Sequence, residues 1–285
     1  MFKIIEKKLL APDIYLMEID APRVANSAKP GQFVIVKAGE MGERIPLTIC
    51  DYNIAKGSVT IVIQAIGSST KKIVSLNKDE FIDDFAGPLG NASEFIHENI
   101  DELKKKKVCF IAGGVGIAPI YPQVKWFSQN NIPCDVIIGA KSKDYLFYID
   151  ELKALQINLH ICTDDGTEGN KGLVTEMLKK LVDTGSKFDE VIAIGPMIMM
   201  KFVAVLTKQL TIKTIVSLNT LMIDGTGMCG GCRVTVDGKQ KFTCVDGPEF
   251  DGHLVDFEEA MRRQTMYKDV EKKKDHNCNI NLGLL

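Results

Sequence analysis

Four residues near the C-terminus have the types and spacing of iron–sulfur ligands. Asp224, Cys229, Cys232 and Cys244 follow the pattern Asp-x4-Cys-x2-Cys-x11-Cys. One class of 2Fe–2S site uses Cys-x4-Cys-x2-Cys with a distant fourth cysteine, and here a carboxylate stands in the first position. The residues between the first three ligands are mostly glycines, which let backbone amides approach inorganic sulfides. The pattern predicts a 2Fe–2S cluster and therefore an electron carrier.

Zinc is the main alternative for the same residues, because Cys-x2-Cys also occurs in zinc sites and zinc accepts carboxylate oxygen. A zinc site would need neither the x4 spacing nor the glycines, and the sequence has no second Cys-x2-Cys pair. Asp224 also has a turn interpretation, since aspartate is common in glycine-rich turns. The remaining cysteines are scattered and predict no disulfide framework: Cys50, Cys109, Cys134, Cys162 and Cys278.

The composition is that of an ordinary soluble protein. The 285 residues are 45% hydrophobic and 25% charged, which leaves room for two or more domains. A net charge of −2 gives no electrostatic signature of nucleic-acid binding. The N-terminus begins with a strand-like pattern instead of a signal peptide, and glycines and prolines interrupt the longest uncharged run, 108–124. We therefore expect a cytoplasmic protein that binds neither nucleic acid nor a membrane, and its free thiols fit that reducing compartment.

Two rhythms of hydrophobic residues divide the chain. Up to about residue 90, short β-type runs alternate with Gly, Pro and Asp turns, which predicts an antiparallel β-barrel. From about residue 107, apolar strands alternate with helical stretches, which predicts a Rossmann-like parallel α/β domain. The predicted fold class is thus a multidomain α+β and α/β protein with a small C-terminal 2Fe–2S module. The predicted boundaries are 1–100, 101–222, 223–256 for the cluster module, and 257–285 for a helical tail.

A glycine-rich turn begins the second domain. The predicted strand 108–112 runs into Gly113-Gly-Val-Gly-Ile-Ala-Pro119 and then a helix, so its glycines lie where a pyrophosphate meets a helix N-terminus. The acidic residue that usually contacts a ribose about 20 residues later is missing. Instead, the next strand ends in Lys141-Ser-Lys143. These lysines either bind a 2′-phosphate or are simply solvated, so the choice between NAD and NADP stays open.

Six motifs in order along nearly the whole chain together resemble the ferredoxin–NADP reductase superfamily. They are Pro-Gly-Gln-Phe at 30–33, Arg-Ile-Pro-Leu-Thr at 44–48, Gly-Pro-Leu-Gly at 87–90, the glycine turn at 113–119, Thr-Asp-Asp-Gly at 163–166, and Gly-Pro-Met at 195–197. Within it, the cluster loop is similar to those of two subunit families. One comprises the electron-transfer subunits of dihydroorotate dehydrogenase B. The other comprises the small subunits of NADH-dependent reduced ferredoxin:NADP oxidoreductase, also known as sulfide dehydrogenase. The second is closer, because it shares the aspartate and the run 244–250.

The resemblance implies an FAD site in the barrel domain and a dinucleotide site in the next domain. Arg44 would bind the FAD pyrophosphate, and Thr48 would be the catalytic hydroxyl beside flavin N5. Ser69 departs from the superfamily pattern, which has a glycine there. The FAD-binding residues implied are Arg44, Pro46, Leu47, Thr48, Gly67, Ser69 and Thr70. The NAD(P)-binding residues implied are Gly114, Gly116, Pro119, Thr163, Asp164 and Gly195.

The implied function is electron transfer between NAD(P)(H), FAD and the 2Fe–2S cluster. A larger flavin and iron–sulfur subunit is implied as the partner in a heterodimer, and ferredoxin and NADP would react at that subunit. The tail after Phe257 is either a docking element for the partner or a helix packed on its own domain. The alternative enzyme is the electron-transfer subunit of dihydroorotate dehydrogenase B. An alternative from another class is a zinc-stapled sensor that binds a dinucleotide.

Overall fold

The computed structural model describes residues 1–40, 42–267 and 269–271. It contains two seven-stranded sheets and a two-stranded hairpin. The strands of the first sheet are β1 (Phe2–Ala11), β2 (Ile14–Asp20), β3 (Phe33–Lys37), β4 (Ile45–Asn53), β5 (Ser58–Gln64), β6 (Phe81–Ile82) and β7 (Asp84–Leu89). Those of the second are β8 (Val108–Gly113), β9 (Cys134–Ala140), β10 (Asn158–Thr163), β11 (Asn170–Lys171), β12 (Glu190–Ile194), β13 (Lys213–Ser217) and β16 (Glu249–Asp251). The hairpin consists of β14 (Arg233–Val236) and β15 (Lys239–Phe242).

The helices connect and cover these sheets. They are α1 (Pro22–Ser27), α2 (Ser68–Ser75), α3 (Ile100–Leu103), α4 (Ile117–Gln129), α5 (Ile149–Lys153), α6 (Val174–Asp183), α7 (Met197–Gln209), α8 (Thr243–Asp246) and α9 (Phe257–Gln264). In the described part of the chain, no helix combines the length and the apolar character that crossing a bilayer would require.

The N-terminal domain is the predicted antiparallel barrel. Its strand order is β6-β1-β2-β5-β4-β3-β7, and every neighbouring pair is antiparallel. Aliphatic side chains that alternate along the strands fill its interior, including the fully buried Ile4, Met17 and Ile61. The barrel presents β4, which carries the motif 44–48, on the side that faces the second domain.

The second domain is the predicted parallel α/β sheet. Its order is β11-β10-β9-β8-β12-β13-β16, with parallel pairs except at β16. Strand β8 is buried along its whole length, as expected for a parallel sheet covered on both faces. On one face of the sheet, Phe110 of β8 packs against Phe127 of α4, and the other face packs against residues of α6 and α7. The carboxyl ends of the strands lie toward the barrel, where a dinucleotide binds in such sheets.

The C-terminal segment is woven into the second domain. Strand β16, inside the predicted cluster module, pairs antiparallel with β13 and completes the sheet edge. Phe257 of α9 is buried and Met261 packs on the same core as α7, so both lie on one face of the helix. The domain boundaries themselves stay a prediction, and residues 272–285 of the predicted tail lie outside the described residues.

Candidate electron-transfer site

The barrel and the nucleotide domain share one hydrophobic core at their junction. Buried barrel residues, including Ile14, Cys50 and Val62, belong to the same cluster as the residues of α4. At the edge of this junction Lys125 Nζ lies 2.8 Å from both carboxylate oxygens of Asp51. Strand β4 therefore lies against the helix that follows the glycine-rich turn, which brings the two predicted cofactor motifs together.

The predicted flavin residues line β4 and the segment before it. Pro46, Leu47 and Thr48 are each half-buried, which leaves one side open to a ligand. Thr48 pairs with Phe33 of the neighbouring strand β3. The Arg44 side chain remains about one-third exposed, with Nη1 3.4 Å from Asp84 Oδ2. This arrangement fits a planar cofactor on β4 with its phosphates near a guanidinium.

The predicted phosphate loop leads into α2. Thr70 Oγ1 accepts hydrogen bonds from the N–H groups of Ile66 (3.1 Å) and Gly67 (3.0 Å), which fixes the turn. A Cβ added to Gly67 would meet nothing within 4 Å, so the backbone here is open to a ligand. Ser69, the departure from the superfamily pattern, donates a hydrogen bond to Glu43 Oε2 at 2.7 Å. The serine hydroxyl therefore organises the protein side of the loop.

The glycines of the nucleotide turn have separate structural reasons. Gly114 has a positive φ of +55° and open space where a side chain would lie. Gly116 is fully packed, because an added Cβ would lie 2.1 Å from the carbonyl oxygen of Ile194. A Cβ on Gly195 would lie 3.1 Å from the backbone of Gly113. Pro119 occupies the first turn of α4, as predicted. Because these glycines carry no side chains, the N-terminus of the 13-residue helix α4 stays open to a pyrophosphate.

The loop after β10 places only one of its two predicted residues toward solvent. The Thr163 side chain is buried, and its Oγ1 donates to the Glu168 carbonyl (2.9 Å) and accepts from the Glu168 N–H (3.2 Å). Asp164 is exposed directly after β10, and the exposed Lys141 and Lys143 follow the neighbouring strand β9. Thr163 therefore shapes the loop, whereas Asp164 is free to face a nucleotide.

The structure brings the four predicted cluster ligands into one loop and hairpin. Cys232 and Cys244 are each 1% exposed, and their Sγ atoms lie 3.2 Å apart. Cys229 is exposed on the outer side of the loop. The carboxylate of Asp224 accepts hydrogen bonds from the N–H groups of Thr226 (3.0 Å), Met228 (3.0 Å) and Cys229 (2.8 Å).

Electrostatics differ among these ligands. Desolvation raises the pKa of Asp224, but hydrogen bonds from Thr226, Cys229 and Met228 outweigh it and hold the pKa below its usual value. Burial, with the adjacent Cys232 thiol, raises the pKa of Cys244 to about 12. Because a cluster binds thiolates, iron bound at Cys244 would have to supply the charge that displaces the thiol proton. The protein alone favours the thiol.

The structure places the predicted ligands as two local pairs, Asp224 with Cys229 and Cys232 with Cys244. Within the residues that the structure describes, no group of three or more His, Cys, Asp or Glu side chains is gathered closely enough to hold a metal ion. Gly231 N–H already donates to Cys229 Sγ at 3.4 Å, which is the type of contact that tunes cluster sulfurs.

The cluster hairpin packs directly on the flavin side of the barrel. Met222, Cys232 and Cys244 form one buried cluster with Phe33 and Ile35 of β3. Because Phe33 is the strand partner of Thr48, one strand separates the cluster cysteines from the predicted flavin residue. The tertiary structure therefore places the two predicted redox sites next to each other.

A buried polar junction was not predicted from the sequence. Glu249 Oε1 accepts hydrogen bonds from Ser93 Oγ and Gln123 Nε2, both at 2.8 Å. Desolvation raises the pKa of Glu249 to about 7 against these hydrogen bonds, and Glu94 and Glu190 add to the rise. Glu249 lies in the run 244–250 that the sequence analysis singled out, but no spacing rule connects it to residues 93 and 123.

Two family models match the segments that contain the predicted cluster ligands and the predicted nucleotide turn. Residues 219–256 match the model of the iron–sulfur cluster binding domain of dihydroorotate dehydrogenase B. Residues 110–205 match the model of the oxidoreductase NAD-binding domain.

Similar chains extend over nearly the whole sequence. An uncharacterized protein from Clostridium beijerinckii is 59% identical, over 96% of this chain and 93% of the relative. A homologue of the dihydroorotate dehydrogenase B (NAD(+)) electron transfer subunit from Thermotoga maritima is 42% identical, over 95% of this chain and 93% of the relative. A chain in the structure of NADH-dependent reduced ferredoxin–NADP oxidoreductase, solved for insight into flavin-based electron bifurcation, is 39% identical. It covers 97% of each chain with a TM-score of 0.89.

These matches confirm the predicted superfamily fold and the cofactor set of FAD, an iron–sulfur cluster and NAD(P). They also confirm the prediction of an NAD(P)H-dependent oxidoreductase that works with other subunits. The chain thus belongs to the family of dihydroorotate dehydrogenase B electron-transfer subunits and their homologues.

Proposed function

We propose that this chain moves electrons between NAD(P)(H), FAD and a 2Fe–2S cluster, to or from a larger flavin and iron–sulfur subunit that reacts with ferredoxin and NADP. The observation that carries this proposal is the packing of Cys232 and Cys244 on Phe33, the strand partner of Thr48. Likeness over 97% of the chain to a chain of the ferredoxin–NADP oxidoreductase supports this kind of partner. When bound, the cofactors supply hydride transfer at the nicotinamide and flavin and single-electron transfer at the cluster.

The residues of the barrel hold and orient the flavin in this scheme. Arg44 neutralises the pyrophosphate, and the loop of Gly67, Ser69 and Thr70 surrounds the phosphates. Thr48 offers its hydroxyl to flavin N5, while the neighbouring Pro46 and Leu47 form the floor on β4. The half-buried state of the β4 residues supports this assignment, since a fully buried strand would leave no surface for a ring.

The nucleotide occupies the N-terminus of α4, near Gly114, Gly116 and Pro119, and extends past Gly195 toward Asp164. We propose NADH over NADPH, because exposed Asp164 and its neighbour Asp165 would repel a 2′-phosphate that Lys141 and Lys143 attract. The family relatives are named as NAD(+)-dependent, which supports this choice.

The cluster takes its ligands from Asp224, Cys229, Cys232 and Cys244. Three sulfurs and one oxygen complete the four protein positions of a 2Fe–2S centre. Replacing a thiolate by a carboxylate keeps the ligand charge and exchanges a soft donor for a hard one, so the ligand type sets the potential. An Asp224→Cys variant is expected to keep the cluster with an altered midpoint potential in a redox titration. An unchanged potential would mean that Asp224 is not a ligand.

The partner covers the outer edge of the cluster loop. Apolar side chains surround exposed Cys229 there: Ile223 is 48% exposed, Met228 89% and Val245 42%. A nearly fully exposed methionine beside a redox centre is typical of an adaptable contact surface. Helix α9 supports this surface from the protein side, because Arg263 Nη2 donates to the Gly231 carbonyl at 3.0 Å. This contact favours the interpretation of α9 as a helix packed on its own domain.

A second candidate partner is the catalytic subunit of a dihydroorotate dehydrogenase B. The names of several relatives favour it. Purification of the tagged chain from its own cells separates the candidates, because the co-purifying subunit either oxidises dihydroorotate or reduces ferredoxin with NADPH. We propose the cytoplasm as the location of either complex.

Anaerobic analysis of the purified chain tests the core proposal. We expect FAD, iron and acid-labile sulfide in a ratio of about one flavin to two irons, and rapid bleaching of the visible spectrum by NADH with slower bleaching by NADPH. Protein without flavin and labile sulfide, or with zinc in place of iron, would contradict the proposal. Faster reduction by NADPH would contradict the nucleotide assignment alone.

A further inference from the structure

The two ends of the cluster loop are each held by a side chain of the barrel. Ile223, directly before the first ligand, accepts a hydrogen bond through its carbonyl oxygen from Arg44 Nε at 3.1 Å. Val245, directly after the last ligand, accepts one through its carbonyl oxygen from Asn91 Nδ2 at 3.1 Å. The backbone N–H of Asn91 also donates to the Gly247 carbonyl at 2.7 Å. The barrel therefore contacts the backbone on both sides of the four ligands.

These two hydrogen bonds position the cluster loop more than they stabilise the fold. Asn91 is exposed and Arg44 is partly exposed, so water competes for both hydrogen bonds and each adds little net stability to the fold. Their geometry is nevertheless specific, since each fixes a peptide group adjacent to a ligand. Gly225, next to Asp224, lies so close to the barrel that an added Cβ would be 2.8 Å from the side chains of Ile35 and Leu89.

Arg44 has donors for two tasks. Its guanidinium carries five N–H groups in a fixed plane. The Nε donor is used by Ile223, and Nη1 lies 3.4 Å from Asp84. The remaining donors are available to the pyrophosphate that Arg44 is proposed to bind. One rigid group would then touch the flavin phosphates and the peptide beside Asp224.

We propose that Arg44 and Asn91 are positioning residues that form a two-point clamp, which sets the separation and orientation of the cluster loop relative to the flavin. This inference rests on the proposed function. The clamp acts on the rate of electron transfer from flavin to cluster, because that rate falls steeply as the distance between donor and acceptor increases. Arg44 additionally couples occupation of the FAD phosphate site to the Asp224 side of the loop.

An Asn91→Ala variant of the complete, cofactor-loaded chain tests the clamp, with Asn158→Ala as the matched control. Asn158 is an exposed asparagine at the start of β10, at the opposite end of the parallel sheet. In Asn91→Ala we expect unchanged FAD and iron content and unchanged flavin reduction by NADH in stopped-flow mixing. Reduction of the cluster should be several-fold slower, and the EPR spectrum of the reduced cluster should shift. Asn158→Ala should match the wild type in every measurement.

An Arg44→Lys variant provides the second arm, because lysine keeps the positive charge but cannot serve a phosphate and the Ile223 carbonyl in one plane. We expect it to shift the EPR spectrum of the reduced cluster even in protein from which FAD has been removed. Wild-type rates and spectra in both variants would overturn the clamp while leaving the proposed function intact. Loss of iron from Asn91→Ala would also overturn it by showing a structural role. Wild-type protein that transfers no electrons to the cluster would instead contradict the proposed function.

Discussion

The nucleotide-binding domain and the cluster hairpin differ in what holds them together. The nucleotide domain has a parallel sheet covered on both faces, with large side chains such as Phe110 and Phe127 fully buried. The cluster hairpin contributes Met222, Cys232 and Cys244 to a small core that it shares with two buried barrel residues. Two of these three residues are predicted metal ligands, and the hairpin is otherwise anchored by Val234 and Val236 in the core of the nucleotide domain.

The nucleotide-binding domain and the cluster hairpin therefore depend on different stabilising forces. Apolar burial alone can stabilise the nucleotide domain, because its core scales with its size. A short hairpin cannot bury enough surface by itself, and small units of this size usually need a metal or another cross-link. The cluster should therefore complete the small core around Cys232 and Cys244, whereas the nucleotide and flavin sites are formed before their ligands bind.

The largest effect is expected from Cys232→Ser, which tests whether the hairpin needs the cluster for its stability. We expect iron and labile sulfide to fall to background, since a ligand and a buried apolar contact are lost together. Flavin content and NADH-dependent flavin reduction should remain. Iron analysis and limited proteolysis of the segment 223–248 would measure this. The control Cys134→Ser, which alters a buried cysteine far from the loop, should keep its iron.

The next largest effect is expected for Phe110→Ala in the nucleotide domain. Removing a fully buried aromatic ring that packs edge-on against Phe95 and Phe127 should cost about 3–5 kcal/mol of unfolding free energy. Chemical denaturation followed by circular dichroism would measure the loss. Phe202→Ala, at a phenylalanine that is 55% exposed, should cost less than about 1 kcal/mol. Equal losses would show that the domain does not depend on this core.

A smaller, pH-dependent effect is expected at Glu249 of β16, which contacts Ser93 as well as Gln123 of α4. Its pKa in the folded protein is raised to about 7 from 4.5, so folding favours the protonated form. The unfolded chain loses the proton first, and the unfolding free energy should fall as the pH rises from about 4.5 to about 7. Glu249→Gln should remove this slope and be more stable than the wild type by about 1–2 kcal/mol at pH 8. Denaturation at several pH values would show it, and a Glu6→Gln control should keep the wild-type slope.

The smallest effect is expected at the edge of the domain junction. Lys125→Met removes the ion pair with Asp51 but keeps an apolar side chain of similar length. The side chains of Lys125 and Asp51 are each 30% exposed. We expect a loss of about 1 kcal/mol or less, reduced further by salt. A melting curve at low and high ionic strength would measure it. Lys179→Met, which breaks a pair with both side chains more than half exposed, should lose less still.

Much of the fold was predictable because local patterns agree with it. The predicted strand 108–112 lies within β8, since a continuous apolar run is typical of a buried parallel strand. The glycine turn was also predictable, because only glycine tolerates the packing at Gly116. The pairing of β16 with β13 was not predicted, because a three-residue edge strand has too little pattern to be seen in sequence.

The types of cofactor that this protein holds could be read from its sequence alone. The cluster ligands and their spacing, the glycine turn and the flavin motif are each local, so neighbouring residues are enough to define them. Only the tertiary structure decided how those parts are coupled. Contacts such as Arg44 with Ile223 and Asn91 with Val245 join residues 179 and 154 positions apart. No periodicity or spacing rule operates over such separations, because these contacts arise when separately folded layers pack against one another.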